Sequence, residues 1–174
     1  MTMKTWYVEG AEQREAYLQF AEYMLNESDA FSLVYFRYSE SEALKKSARR
    51  VKNLLEPLKI YAQNVNEWPS MITLNENNHI YRLTVYRAEP EAMEALKQAD
   101  SLWDWDYPAL PMDLCFYKEG YAWFASSSHE EWNSLYTNDE QVIERLRAMG
   151  LTVLQEKDMD EAKLFFDERT KKEK

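Results

Sequence analysis

The period of apolar and polar positions changes several times along the 174-residue chain, and each change marks an expected element. Residues 5–9 form a short β-prone run with Trp6, Tyr7 and Val8, closed by Gly10. Over residues 11–26, Tyr17, Phe20, Ala21 and Met24 recur at the i, i+3, i+4, i+7 spacing of one helix face. Residues 31–38 are nearly all apolar, with Phe31, Leu33, Val34, Tyr35 and Phe36. Such a run, rich in β-branched and aromatic residues, predicts a central strand covered on both faces.

Ser39 and Glu42 have the spacing of a capping box, and Leu44, Ala48, Val51 and Leu55 line one face of the helix that follows. Pro57 ends that helix, because it lacks a donor and crowds the preceding turn. Residues 60–65 predict a short strand, and residues 70–74 and 79–87 a hairpin joined through Asn75, Asn77 and Asn78. Pro90 opens a helix running to about Asp100. Residues 113–118 and 121–126 predict a second hairpin around Glu119 and Gly120. Residues 128–136 read as a short helix capped by serines, with Trp132, Leu135 and Tyr136 on one side. Thr137 and Glu140 cap the next helix, which carries Val142, Ile143, Leu146 and Met149 inward and ends at Gly150. A strand over 151–155 follows, and Met159, Ala162, Phe165 and Phe166 suggest a last docked helix.

Hairpins mixed with helices, without strict βαβ alternation, predict one α+β domain over residues 1–166. The expected sheet is mostly antiparallel or mixed, with about five to seven strands packed against about four to six helices. Residues 167–174 read as a charged, frayed tail.

Composition narrows the function classes. The formal net charge is −10, and the acidity is local. Residues 89–144 hold thirteen acids against two bases, Lys97 and Lys118, while the rest of the chain is close to neutral. An acidic excess argues against binding nucleic acid through the net field. The chain has only three glycines, which excludes a Gly-rich phosphate loop, and no apolar run near the ~18 residues of a membrane span. A lone cysteine, Cys115, and an N-terminus without an apolar signal core lead to the expectation of a cytoplasmic protein.

The acidic third also contains four of the six tryptophans, and its densest stretch alternates Trp103, Asp104, Trp105, Asp106 and Tyr107. Buried aromatic anchors with carboxylates around them suit the capture of a basic protein, so these five residues are the candidate binding site. The same pattern also suits a core plug beneath a loop whose aspartates stay in water. A second candidate is the basic stripe of Lys45, Lys46, Arg49, Arg50 and Lys52 on one helix, which suits either a solvated face or contact with an anion or nucleic acid. A third reading pairs this stripe with the acidic region of another copy, giving self-association.

Signals for catalysis are weak. With two histidines, His79 and His129, and one cysteine, no spacing builds a zinc site, and no cofactor motif is present. Asp104, Asp106 and Asp113 offer carboxylates for magnesium or acid–base chemistry without any pattern that specifies it. In register, Cys115 falls opposite Phe124 as a small buried hydrophobe, not as the partner of His129. The expectation is a non-catalytic binding module of the immunity or inhibitor type, facing a basic protein partner. The alternative is a small-molecule binder or enzyme with an aromatic pocket and a carboxylate acid or base.

Overall fold

The computed structural model describes residues 1–36, 46–72 and 81–173, with the side chains of residues 71 and 72 left aside. Strands β1 (Thr2–Met3) and β2 (Thr5–Glu9) precede helix α1 (Arg14–Glu27) and strand β3 (Ala30–Phe36). Helix α2 (Lys46–Leu55) leads through a 3-10 turn at Glu56–Leu58 into β4 (Lys59–Val65), β5 (Glu67–Trp68) and β6 (Met71–Ile72). After β7 (Tyr81–Arg87) come a 3-10 turn at Pro90–Ala92 and the short helix α3 (Met93–Leu96). A further 3-10 turn, Leu102–Asp104, precedes β8 (Met112–Lys118) and β9 (Tyr121–Ser127). Strand β10 (Trp132–Tyr136), helix α4 (Glu140–Ala148), β11 (Thr152–Gln155) and β12 (Met159–Asp160) complete the order.

The fold is α+β. Eight strands form one sheet in the order β11-β2-β10-β9-β8-β3-β7-β4, and every neighbouring pair is antiparallel. Two two-stranded ribbons, β1-β12 and β5-β6, accompany it. The apolar run at residues 31–36 is an interior strand as expected: β3 is buried up to Tyr35 and pairs with β7 and β8.

On the inner face of the sheet, alternate side chains meet the helices. Phe31, Leu33 and Tyr35 of β3 join Phe116, Phe124, Leu135 and Val153 in a core sealed by Tyr17, Phe20 and Met24 of α1 and by Val51 and Leu55 of α2. The Phe20 ring lies 5.0 Å from that of Phe124 in an edge contact. Tyr17 is fully buried, and its hydroxyl donates to Leu96 O at 2.6 Å and accepts from Trp105 Nε1 at 2.9 Å. Burial raises the Tyr17 phenol well above its ordinary value, so it stays a neutral donor and acceptor.

The outer face carries a smaller cluster. Val34, Val85, Cys115, Tyr117 and Ala125 lie under Trp68 of the β5-β6 ribbon and Phe165 of the C-terminal segment. That segment is not the expected helix: β12 pairs with β1, a 3-10 turn covers Glu161–Lys163, and Phe166 bridges Tyr121. The residues from 167 onward begin with a packed 3-10 turn in which Thr170 is buried. Arg169 stacks 3.8 Å from the centre of the Tyr61 ring and bonds Asp167, which also accepts from the Tyr61 hydroxyl.

Two other expectations change. Residues 132–136 are strand, not helix, because Asn133 and Leu135 are buried while Trp132 is exposed and Ser134 and Tyr136 are half-buried, a period of two. The helical reading arose because 132, 135 and 136 also satisfy i, i+3, i+4. The serines before β10 cap no helix; the Ser128 amide donates to Asp113 instead. The hairpin at Glu119 and Gly120 turns with φ of 52° and 88°, and Lys118 pairs with Tyr121. An extra residue in β9 then shifts the register, so Cys115 faces Ala125 rather than Phe124. Residues 71–72 pair with β5 rather than with β7, and the remainder of that expected hairpin, residues 73–80, lies outside the described residues, as do the capping box at 39–42 and Leu44.

Replacing Tyr17 by Phe leaves the Leu96 carbonyl and the Trp105 indole N–H without their buried partner. The expected loss is about 1–3 kcal/mol of unfolding free energy, read from urea denaturation. Tyr7→Phe, which removes an exposed hydroxyl with only a long 3.4 Å contact to Glu131 O, serves as the near-neutral control. Equal midpoints for the two variants would refute the role given to the Tyr17 hydroxyl.

Candidate functional site

The structure divides the aromatic–acidic stretch by depth. Trp105 is fully buried and belongs to the inner core through its bond to Tyr17. Trp103 and Tyr107 are half-buried, the latter with its ring 4.5 Å from that of Phe36. Asp104 Oδ2 accepts from the amides of Asp100 at 2.8 Å and Ser101 at 3.1 Å, closing a capping box on its own turn. Asp106 Oδ1 accepts from the Tyr107 amide at 2.9 Å. Four of the five residues thus retain some surface, while their carboxylates already bond backbone.

Asp113 is more deeply engaged. It is buried, has a φ of 56°, and accepts from Trp68 Nε1 at 2.8 Å and from the Ser128 amide at 3.0 Å. Burial raises its carboxyl above the ordinary aspartate value, against the lowering effect of these two bonds. Cys115 lies on the covered outer face, and burial pushes its thiol up to about 12, far from a reactive thiolate. His129 is exposed. Among the described residues, no three His, Cys, Asp or Glu side chains gather to hold a metal ion.

The basic stripe is an outward face of α2. Lys46, Arg49 and Arg50 are exposed opposite buried Ala48, Val51 and Leu55, and Lys52 is half-buried with its Nζ 5.9 Å from the Tyr35 ring. Lys45 lies outside the described residues.

A surface that the sequence reading did not single out lies on the outer face of the sheet. In register, Leu154, Tyr7, Ser134, Ala125, Cys115, Ser32, Val85 and Tyr61 form one row across all eight strands. From Ala125 to Val85 the row is buried beneath Trp68 and Phe165. At its other end it is open: Leu154 is 52% exposed, and Trp132, stacked 4.6 Å from Tyr7, is 45% exposed. Tyr7 stands between them. Partial burial, then the charges of Glu9, Glu12, Glu131 and Glu156, raise its phenol above the ordinary value, so the phenol stands in a negative field. The signal for this surface was the alternation in 132–136, which the helical reading concealed.

The open end is a face rather than a free edge for pairing. Glu156 donates its N–H to Thr5 O at 2.8 Å, which by alternation along the ladder points the Val153 peptide group outward. Its carbonyl accepts from Arg147 Nη2 at 2.7 Å, so a charged side chain occupies the edge. Compared with family models, curated proteins and solved structures, the chain matches none.

The Asp113 assignment has a pH signature. Its folded-state value is raised, so its contribution to stability declines as pH rises from the ordinary aspartate range through the raised value. The stability of the wild type relative to Asp113→Asn is therefore expected to be greater in acid than at neutral pH, in paired urea titrations from about pH 3 to 7. A difference that grows with pH would contradict this.

Proposed function

We propose that this protein is a non-catalytic binding module that captures a basic protein, with inhibition of a basic enzyme in the immunity manner as its concrete form. The observation that carries this reading is the open end of the outer sheet face: Leu154, Tyr7 and Trp132 side by side on three strands, with the charges of Glu9, Glu12, Glu131 and Glu156 acting on the Tyr7 phenol.

An exposed tryptophan beside a half-buried tyrosine on a rigid sheet suits an interface core, because such rings bury large area with little loss of side-chain freedom. Carboxylates at the rim speed the encounter with a cationic surface and disfavour acidic competitors. The four strands from β11 to β9 hold the anchors in place without a partner, so little ordering is required on binding. The engaged carboxylates of Asp104, Asp106 and Asp113 leave the acid–base alternative with less support than the docking face.

The test is affinity capture from an extract of the source cells, comparing wild type with Trp132→Ser/Leu154→Ser and with Glu9→Lys/Glu131→Lys. The expected partner is basic, elutes with rising salt, and is lost from both variants, with each anchor contributing on the order of 2 kcal/mol, or roughly 30-fold in Kd. Trp103→Ser/Asp104→Lys should retain it. A partner that survives both face variants but is released by the Trp103/Asp104 variant would move the site to that stretch, and an acidic partner would overturn the reading.

A further inference from the structure

The eight-stranded sheet closes one of its edges and leaves the other open. At β11 the Val153 carbonyl is taken by Arg147 Nη2, whereas β4 pairs with β7 alone. The Ala88 amide donates to Asp29 O at 3.1 Å, next to the Ala30–Arg87 pair. By alternation, the peptide groups of Tyr86, Thr84 and Arg82 face β3, and those of Val85, Leu83 and Tyr81 face β4. Val85 and Leu83 stand opposite Tyr61 and Gln63. The N–H and C=O groups of Ala62 and Asn64 therefore point away from the sheet, and no backbone group among the described residues meets them. A charged residue, a proline or a bulge guards such an edge in most sheets. Here the guards stand only at its start, as Lys59 and the extra residue Ile60 where the register shifts. Residues 60–65 carry no charge and no proline.

Basic side chains border this open edge on both sides. Towards the helices, a recess of about 330 Å³ runs from Ala62 and Asn64 to α2, with Lys52, Lys59 and Arg82 against a single acid, Glu56. Glu56 already pairs with Lys59. Beside Lys59 and Ile60, a second recess of about 390 Å³ sets five bases, Arg87 and Lys172 among them, against three acids. Arg82 donates to Asn64 Oδ1 at 3.0 Å and Arg87 to the Pro57 carbonyl at 2.9 Å. Both acceptors are neutral, so neither guanidinium has an ion-pair partner among the described residues. In a chain of net charge −10, the open edge thus lies in a locally basic surround.

We propose that β4 receives an acidic, extended segment of a partner protein as an added antiparallel strand. The site is at the opposite end of the sheet from the open aromatic face and does not depend on the role given to that face. Backbone pairing with Ala62 and Asn64 supplies the affinity, and alternate side chains supply the selectivity. Partner residues opposite Ala62 and Asn64 share the face of those two side chains. Acids at these alternate positions therefore project to the side of Lys52, Lys59 and Arg82, where charges of opposite sign favour them. A second copy of the chain fits less well. Pairing β4 with another β4 sets two basic borders together, and the remaining edge, β11, is closed by Arg147.

The experiment titrates the protein with acetyl-Thr-Glu-Val-Glu-Thr-amide, following backbone amide shifts by NMR. Shifts are expected at Ala62 and Asn64 together with Arg82. Binding is expected to weaken about ten-fold or more when glutamine replaces both glutamates, and again when the two glutamate amides are N-methylated. N-methylation of the central valine, whose amide faces away from β4, is expected to be tolerated. Ala62→Pro removes an outward donor without breaking a bond to β7 and is expected to abolish binding, with its melting temperature as the check on folding. The N-methylated peptides test the same bonds on the unaltered protein. Equal affinity for the glutamine peptide, indifference to glutamate N-methylation, or no binding at millimolar concentration each overturns the proposal. Dimerisation in sedimentation that is lost in Ala62→Pro makes a second copy the occupant and overturns it as well. So does a single-stranded oligonucleotide that binds more tightly than the peptide and shifts Lys46, Arg49 and Arg50.

Discussion

The buried carboxylate of Asp113 is the constraint that decides which part of the sheet is covered. It sits at the start of β8, with a φ of 56° that only a few non-glycine residues adopt readily. One oxygen holds the indole of Trp68 and the other holds the amide of Ser128, while its own N–H donates to Trp105 O. Three remote pieces of chain, the β5-β6 ribbon, the turn after β9 and the loop before β8, thus converge on one side chain. An ionised carboxyl inside a protein is tolerated when donors surround it, and here two neutral N–H groups serve while burial still raises its proton affinity.

Because Trp68 is tied to that point, it packs in one cluster with Val34 of β3, Val85 of β7 and Cys115 and Tyr117 of β8. Phe165, held by the amide of Ala122 donating to its carbonyl, adds to the same half. The coverage explains an otherwise odd gradient along a single row of side chains, from buried Cys115 and Ala125 to Leu154 at the surface. The edge beside Leu154 is occupied by Arg147, which discourages strand addition and leaves side-chain docking as the use of this region. A face open on one half and sealed on the other is thus a consequence of where Asp113 stands.

Legibility in the sequence followed the strength of local signals. The apolar run of β3, the Gly120 turn and the face of α1 were readable because period, turn chemistry and burial agree there. The segment 132–136 was not, since its aromatic and aliphatic positions satisfy both periods and only the burial of Asn133, whose amide donates to Val8 O, distinguishes them. The β9 register was hidden for a different reason: one inserted residue changes which side chain faces Cys115, and no composition rule marks it. In the same way the sequence left Trp105 open between a binding anchor and a core plug, and its partner Tyr17, 88 positions away, places it in the core.

Charge shows the same limit more sharply. The acidic third was found by counting along the chain, yet the charges that act on the Tyr7 phenol come from four places: Glu9 on β2, Glu12 before α1, Glu131 before β10, and Glu156 after β11. Only Glu131 belongs to the acidic third. Within that third, Asp104, Asp106 and Asp113 are bound to amides or an indole and define turns and packing. A linear excess of acid therefore located structure in this chain, while the surface suited to a basic partner is assembled by strand pairing. It is the antiparallel register of β11, β2 and β10, rather than any run of residues, that sets Leu154, Tyr7 and Trp132 beside one another.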